Sequence, residues 1–237
     1  MEQLVTGPLV IFDVNETLLD IDSVAPIFSD IFDDPTVLRE WFGQLVMYSM
    51  TVTLSRCYVD FFTLGRAVLQ MIADGRGMTV ADADLDRLAA AMASMPAHHD
   101  VGDGLDALRR DGFRLVSLTN SPPTPEGPSP LDRAGLGEKF ERQFSVDPCR
   151  AFKPDPAVYL QVCREMDVAP AQCVMVAAHS WDILGAQAVG MQGALITRPG
   201  NAVLPAPGLR RPDVLATDLV DLARQLKGGP STLGVLP

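Results

Sequence analysis

The chain has 237 residues, 47% of them hydrophobic, enough to bury a full core as one large domain or two smaller ones. Its 30 acidic against 19 basic residues give a net charge of −11, which repels phosphate backbones and anionic lipid, so neither nucleic acid nor a membrane is expected as a partner. The start carries no basic region ahead of an apolar segment, no apolar run reaches membrane-spanning length, and Cys57, Cys149, Cys163 and Cys173 show no CxxC spacing, which predicts a cytoplasmic protein with reduced thiols and no zinc or redox motif.

The first predicted element is a strand, Leu9 to Phe12, followed at once by Asp13, Asn15 and Thr17. A short continuous apolar run ending on a carboxylate reads as a buried strand of a parallel sheet, and ligands of such sheets bind beyond the carboxyl ends of the strands. Asp13 either faces that crevice or caps the turn. From Asp34 to Met95 the apolar residues recur at helical spacing. Asp34 and Pro35 open a helix through Trp41, Leu45 and Tyr48, a second run carries Tyr58, Phe62, Val68 and Met71 to the glycines at 75 and 77, and a third runs from Asp82 to Met95 with Pro96 as its stop. Residues 21–97 are therefore expected to form a small helical domain inserted into a larger one made of residues 1–20 and 98–227.

Beyond Ala97 helix and strand alternate: a helix from Asp103 to Arg110, strands at Phe113 to Leu118 and Gln143 to Val146, a helix from Pro156 to Met166, a strand at Cys173 to Ala177, a helix through Ala186 and Val189, and a last strand at Ala194 to Thr197. This alternation predicts an α/β fold built on a doubly wound, Rossmann-like parallel sheet. Residues 228–237, rich in Gly and Pro, are expected to be a disordered tail.

Asp13 with Thr17, Thr119 with Asn120, Lys153, and Asp182 each lie just after a predicted strand or in the loop that follows it, so one crevice can collect them. These four segments, in this order, resemble the four motifs of the haloacid dehalogenase superfamily, in which a strand-end aspartate is the nucleophile and a helical cap is inserted after the first strand. The resemblance implies that residues 21–97 are the cap.

Phosphatases of that superfamily use a second aspartate two residues after the nucleophile and two carboxylates in the fourth motif to hold magnesium. Here Asn15 and Ala178 stand at those places. Asparagine cannot shuttle a proton, and magnesium without a carboxylate loses much of its site, so no metal or other cofactor is expected. SVDP at Ser145 to Pro148, KPD at Lys153 with Tyr159 six residues on, WD at Trp181 and Asp182, and RPGN at Arg198 to Asn201 resemble the (S)-2-haloacid dehalogenase branch. That resemblance implies displacement of halide from a short 2-haloalkanoate by Asp13, then hydrolysis of the resulting ester, turning an S-2-haloacid into an R-2-hydroxy acid. It assigns catalysis to Asp13, Thr17, Lys153 and Asp182, with Lys153 favouring the charged form of Asp13 and Asp182 directing water. Thr119, Asn120 and Tyr159 fall to substrate binding. A magnesium-dependent phosphatase and a non-catalytic binding protein on the same fold are the alternatives.

Three departures stand out. The cap arginine that receives the halide in such enzymes is replaced by Phe42, so halide binding is expected either to pass to the indole of Trp41 or to Arg39, or to be weak. The fourth motif reads AAHSWD, which places His179 beside the site as a donor to the substrate or to the ester carbonyl, titrating near neutral pH. Pro122 to Pro130 is expected as a stiff loop near the mouth of the crevice in place of a helix. His98 and His99 are read as hinge residues between cap and core. The apolar run Leu45, Val46, Met47 and Met50 exceeds what a small helical insert can hide, which suggests either a homodimer through the cap or a cap packed on its own core.

Overall fold

A computed structural model describes residues 7–124 and 127–228; the tail expected to be disordered lies outside them from residue 229 onward. Strand β1 (Leu9–Phe12) is buried along its whole length. Four helices follow: α1 (Ala25–Phe32), α2 (Val37–Leu54), α3 (Phe61–Gly75) and α4 (Asp82–Met92). Asp60 starts α3 by accepting from the backbone N–H groups of Phe62 and Thr63 at 3.0 Å each, the capping role of a short polar side chain. Asp34 makes the corresponding contact with Thr36 at 2.9 Å, one turn ahead of α2, so the predicted start at Asp34 is a turn and the helix begins at Val37.

The two connections to this helical insertion run side by side. The Asp20 N–H donates to the Pro96 carbonyl at 2.8 Å, and the His98 N–H to the Leu18 carbonyl at 3.0 Å. Helix α5 (Val101–Arg110), β2 (Arg114–Thr119), the short α6 (Pro130–Arg133), β3 (Arg142–Ser145), α7 (Pro156–Met166), β4 (Cys173–Ala177), α8 (Ser180–Ala188), β5 (Gln192–Ile196), β6 (Val214–Ala216) and α9 (Leu219–Lys227) complete the order. The six strands form one parallel sheet in the order β3-β2-β1-β4-β5-β6. From β1 the chain builds outward through β2 to β3, then returns to the other side of β1 for β4. The crevice beyond β1 and β4 is the topological switch point at which such sheets bind ligands.

Four elements escape the sequence reading: the helices α1 and α6, β6 and α9. β6 has three residues with Leu215 half exposed, too short for a period to show. α9 buries Leu219, Leu222 and Ala223 against the rest of the fold. Leu45 and Val46 are buried within the insertion, whereas Met47 stays 50% exposed, so most of the apolar excess expected to drive dimerisation is already covered. Among the described residues no helix is long and apolar enough to cross a membrane.

α5 and α9 pack closely at Gly104, where an added Cβ would lie 2.4 Å from the Leu219 Cβ and 2.7 Å from its backbone carbon. Backbone cannot move aside as a side-chain tip can, so Gly104→Ala is expected to cost about 1–3 kcal/mol through overpacking, or roughly 2–4 °C of melting temperature for each kcal/mol. A thermal melt checks this. An unchanged midpoint would show that the two helices are free to separate.

Candidate active site

The sheet delivers the predicted polar residues to one place. Asp13 follows β1 directly, and its own N–H still belongs to the sheet, donating to the Val176 carbonyl at 2.9 Å. The chain then turns tightly, with the N–H groups of Leu18 and Leu19 both returning to the Val14 carbonyl. That turn carries Thr17 back over Asp13, and its hydroxyl donates to Asp13 Oδ2 at 2.6 Å. Thr17 Oγ1 in turn accepts from the Ala178 N–H at 2.9 Å, which ties the turn to the end of β4.

Lys153 reaches in from the loop before α7 and is completely buried. Its ammonium stands between two carboxylates, donating to Asp13 Oδ1 at 3.0 Å and Asp182 Oδ2 at 2.8 Å. Its backbone N–H donates to Asn120 Oδ1 at 3.1 Å, so the residue after β2 fixes the loop that carries the lysine. Burial alone would push Asp13 up, but the charge of Lys153, with His179 and the Thr17 hydroxyl, holds it well below the usual carboxylate range. For Lys153, burial pulls down and the two carboxylates more than compensate, so its pKa is raised and it stays charged. Asp182 is raised instead, because burial and the charge of Asp13 outweigh its partner Lys153. One carboxylate is thus kept strongly ionised and its neighbour made a better proton acceptor, a division expected of nucleophile and base.

Tyr159 is fully buried and donates to Asp182 Oδ1 at 2.6 Å. Its hydroxyl is committed to that carboxylate, so it is a support for Asp182 and not the substrate contact expected from the sequence. Thr119 ends β2 and accepts the Ser121 N–H at 3.1 Å. Beside the crevice opens a cavity of about 480 Å³ whose walls include Asn15, Thr119, Ser121 and Phe144. The Pro-rich loop, described at residues 122–124 and 127–130, contributes to its outer side.

The two residues proposed to replace the cap arginine do not face Asp13. The Trp41 indole N–H donates to the Gly65 carbonyl at 2.9 Å inside the helical insertion, against Phe28, which leaves nothing to offer a halide. Arg39 pairs with Glu16 and, at 2.8 Å, with Asp22. The period of α2 identifies its buried side but not which loop it meets, so sequence alone could not separate these outcomes. Phe42, at the place of the missing arginine, packs on the His179 ring with centroids 5.7 Å apart.

His179 caps α8 and lies between Phe42 and the Trp181 ring, 5.0 Å away. Its Nε2 meets Glu16 Oε2 at 2.7 Å, and its Nδ1 points at Asp13 Oδ2 from 3.6 Å with no closer partner. Burial lowers its pKa, but Asp13 and Glu16 together raise it to about 9. Glu16 was not singled out from the sequence. Its available signal is its place in the Asp13 to Thr17 turn, where it is buried at a left-handed φ of 67°. Arg198 was also missed as an active-site support: its Nε donates to the Thr17 carbonyl at 3.0 Å and its Nη1 to Asp100 at 2.7 Å.

A divalent cation does not fit this arrangement. Both oxygens of Asp182 and both of Asp13 already accept hydrogen bonds, and the ammonium lies between the two carboxylates. Among the described residues no group of three or more His, Cys, Asp or Glu side chains is arranged to hold a metal.

The model of the haloacid dehalogenase-like hydrolases matches residues 8–190. The chain is 33% identical over 191 residues to (S)-2-haloacid dehalogenase 1 of Pseudomonas sp. strain CBS-3, covering 79% of this chain and 83% of that protein. It is 28% identical over 203 residues to (S)-2-haloacid dehalogenase 4A of Burkholderia cepacia, covering 81% and 83%. The fold superposes on the L-2-haloacid dehalogenase of Xanthobacter autotrophicus solved with chloropropionic acid covalently bound, with a TM-score of 0.82, 23% identity and coverage of 94% of this chain and 99% of that one. With most of its length matched and Asp13, Lys153 and Asp182 brought together at the switch point of its sheet, the chain belongs to the haloacid dehalogenase-like hydrolases.

Proposed function

We propose that the protein hydrolyses short (S)-2-haloalkanoic acids to (R)-2-hydroxy acids and halide, through an ester on Asp13 and without a metal. The observation that carries this reading is the buried Asp13–Lys153–Asp182 set, which keeps a carboxylate ionised with little of it exposed to solvent. An ionised carboxylate shielded from hydration is a competent nucleophile toward an sp³ carbon. The names of the relatives, (S)-2-haloacid dehalogenases, point to the same substrate class.

In the first step an Asp13 carboxylate oxygen attacks the 2-carbon from the side opposite the halogen. The new C–O bond forms as the carbon–halogen bond breaks, the halide leaves with the bonding pair, and the carbon inverts. Thr119 and the Asn120 amide hold the substrate carboxylate in this reading, with the cavity beside Asn15 receiving the substituent on the 2-carbon. In the second step water attacks the ester carbonyl carbon and gives a proton to Asp182, whose carboxylate Tyr159 and Lys153 orient. Collapse of the adduct breaks the bond between the carbonyl carbon and the substrate oxygen and returns the Asp182 proton to the departing alkoxide; Asp13 is left holding the second proton of water and releases it to solvent, because Lys153 favours its ionised form. The 2-carbon is untouched in this step, so a single inversion survives. The helical insertion covers this crevice as a cap, and the exposed face of α2 with Met47 and Leu54 is the surface for a second copy of the chain.

Metal-free protein given each enantiomer of 2-chloropropionate is expected to release chloride from the S form alone and to yield R-lactate. Hydrolysis of a phosphoester that appears with magnesium and disappears with chelator, in place of chloride release, would reverse the assignment. Asp13→Asn is expected to abolish turnover, and in heavy-oxygen water a single turnover should label Asp13 and not lactate. Label found in lactate after one turnover would mean that water attacks the 2-carbon directly.

A further inference from the structure

His179 is more elaborately held than a substrate contact requires. Its Nε2 lies 2.7 Å from Glu16 Oε2, and both side chains are nearly excluded from solvent. Its other nitrogen, Nδ1, is buried without a hydrogen-bond partner and lies 3.6 Å from Asp13 Oδ2, beyond hydrogen-bond length but aimed at the reacting carboxyl. Catalytic contacts of this kind are often long in the unliganded site and tighten on the reaction path.

We propose, on the reading of function given above, that Glu16 is a positioning residue that holds the His179 imidazole doubly protonated with its Nδ1–H directed at Asp13, so that His179 stabilises the oxyanion formed when water attacks the ester and does not act as a base.

When water adds to the ester carbonyl, the negative charge appears on the former carboxyl oxygen of Asp13. Thr17 and Lys153 already donate to the two oxygens of this group, at 2.6 and 3.0 Å. An imidazolium Nδ1–H is a third donor, charged and preorganised, and such donors act where charge develops. The bond to Glu16 also fixes the ring, since Nε2 donates to Oε2, and in the doubly protonated ring the second proton lies on Nδ1, facing Asp13.

The groups facing this imidazole favour the charged form on balance. Asp13 and Glu16 bring two carboxylates from the turn after β1. Against them stand Lys153, one oxygen away on Asp13, and Arg39 from α2, paired with the far oxygen of Glu16. The N-terminus of α8, which His179 caps, also opposes a positive charge. Asp182 lies beyond Lys153, and His98 touches the Glu16 backbone carbonyl at 3.1 Å. The Phe42 and Trp181 faces exclude water from the ring. With the pKa raised to about 9, the imidazolium persists through neutral pH and is lost as pH rises through that value.

The test separates the two chemical steps. Rapid-quench mass spectrometry of wild type and Glu16→Gln with S-2-chloropropionate follows formation of the ester adduct and its breakdown across pH, while nitrogen-edited NMR follows titration of the His179 ring in the resting protein. The expected result is that the resting wild-type ring titrates near 9, that adduct breakdown slows as pH rises through a lower value, because the ester no longer carries the Asp13 charge that helps raise it, and that Glu16→Gln moves both the breakdown limb and the ring titration down by roughly 1–3 units, with adduct formation less affected. Breakdown that accelerates as the imidazole loses its proton would overturn the proposal and make the pair a base for water. A ring titration unmoved by Glu16→Gln would reduce Glu16 to packing. If no adduct forms in either protein, the functional reading fails, and the ring titration still decides whether Glu16 governs the charge on His179.

Discussion

The structure depends on one ammonium group shared by two carboxylates in the interior. Lys153 is completely buried, as is Asp182, and Asp13 nearly so. Removing any one of these charges from water is expensive, and attraction within the set repays the cost only when each member finds its partners. That condition explains why the three arrive from three separate places in the chain, after β1, before α7 and in the first turn of α8. A parallel sheet brings strand ends to one line regardless of sequence separation, and the loops beyond them need to reach inward by only a few residues. The site is therefore a product of sheet topology first and of side-chain choice second.

The inner set carries one net negative charge, and the groups around it offset that charge. Glu16, His179 and Arg39 bring the buried count to three carboxylates, Asp13, Asp182 and Glu16, facing three cations, Lys153, His179 and Arg39, the last also paired with the exposed Asp22. Balance matters because the proposed substrate brings a further negative charge into the crevice. A site already rich in uncompensated carboxylate would reject it, whereas a neutral, hydrogen-bonded cradle accepts it at the cost of one desolvation. Arg198 supports the cradle from outside: by holding the Thr17 carbonyl and Asp100 together, it joins the turn after Asp13 to the starts of α5 and α9, where Asp100 also accepts the Leu219 N–H.

The inner set was legible in the sequence because each member follows a recognisable apolar strand or a proline-marked loop, so period and punctuation alone place it at the sheet's carboxyl edge. The strands β1 and β4 and the helix α7 have the residue ranges expected of them. The surrounding groups were not legible, for a geometric reason. Whether Arg39 meets Asp13 or Glu16, and whether Trp41 offers its N–H to a ligand or to Gly65, depends on the rotation of α2 about its axis relative to a loop of another element. Helical period does not encode that angle. Glu16 was hidden by its type: an acidic residue in a turn ordinarily reads as solvated, and nothing local announces a left-handed turn that drives it inward. Tyr159 shows a milder case, correctly placed near the site but serving Asp182 through its hydroxyl.

Arg39 and Phe42 stand three residues apart on α2 and so share a face. Both contact the Glu16–His179 pair, the arginine through the carboxylate and the phenyl ring over the imidazole. The helical insertion thus reaches the Asp13–Lys153–Asp182 set through the histidine. The strengths of these contacts differ. The Arg39 side chain is 40% exposed, so its pair with Glu16 contributes about 0–1 kcal/mol, whereas the Glu16–His179 contact is buried and leaves a charge stranded if either partner goes. Lifting α2 away would therefore cost little at the arginine but would admit water to the imidazole between Phe42 and Trp181, and it is this exclusion of water that lets two carboxylates govern the charge on His179.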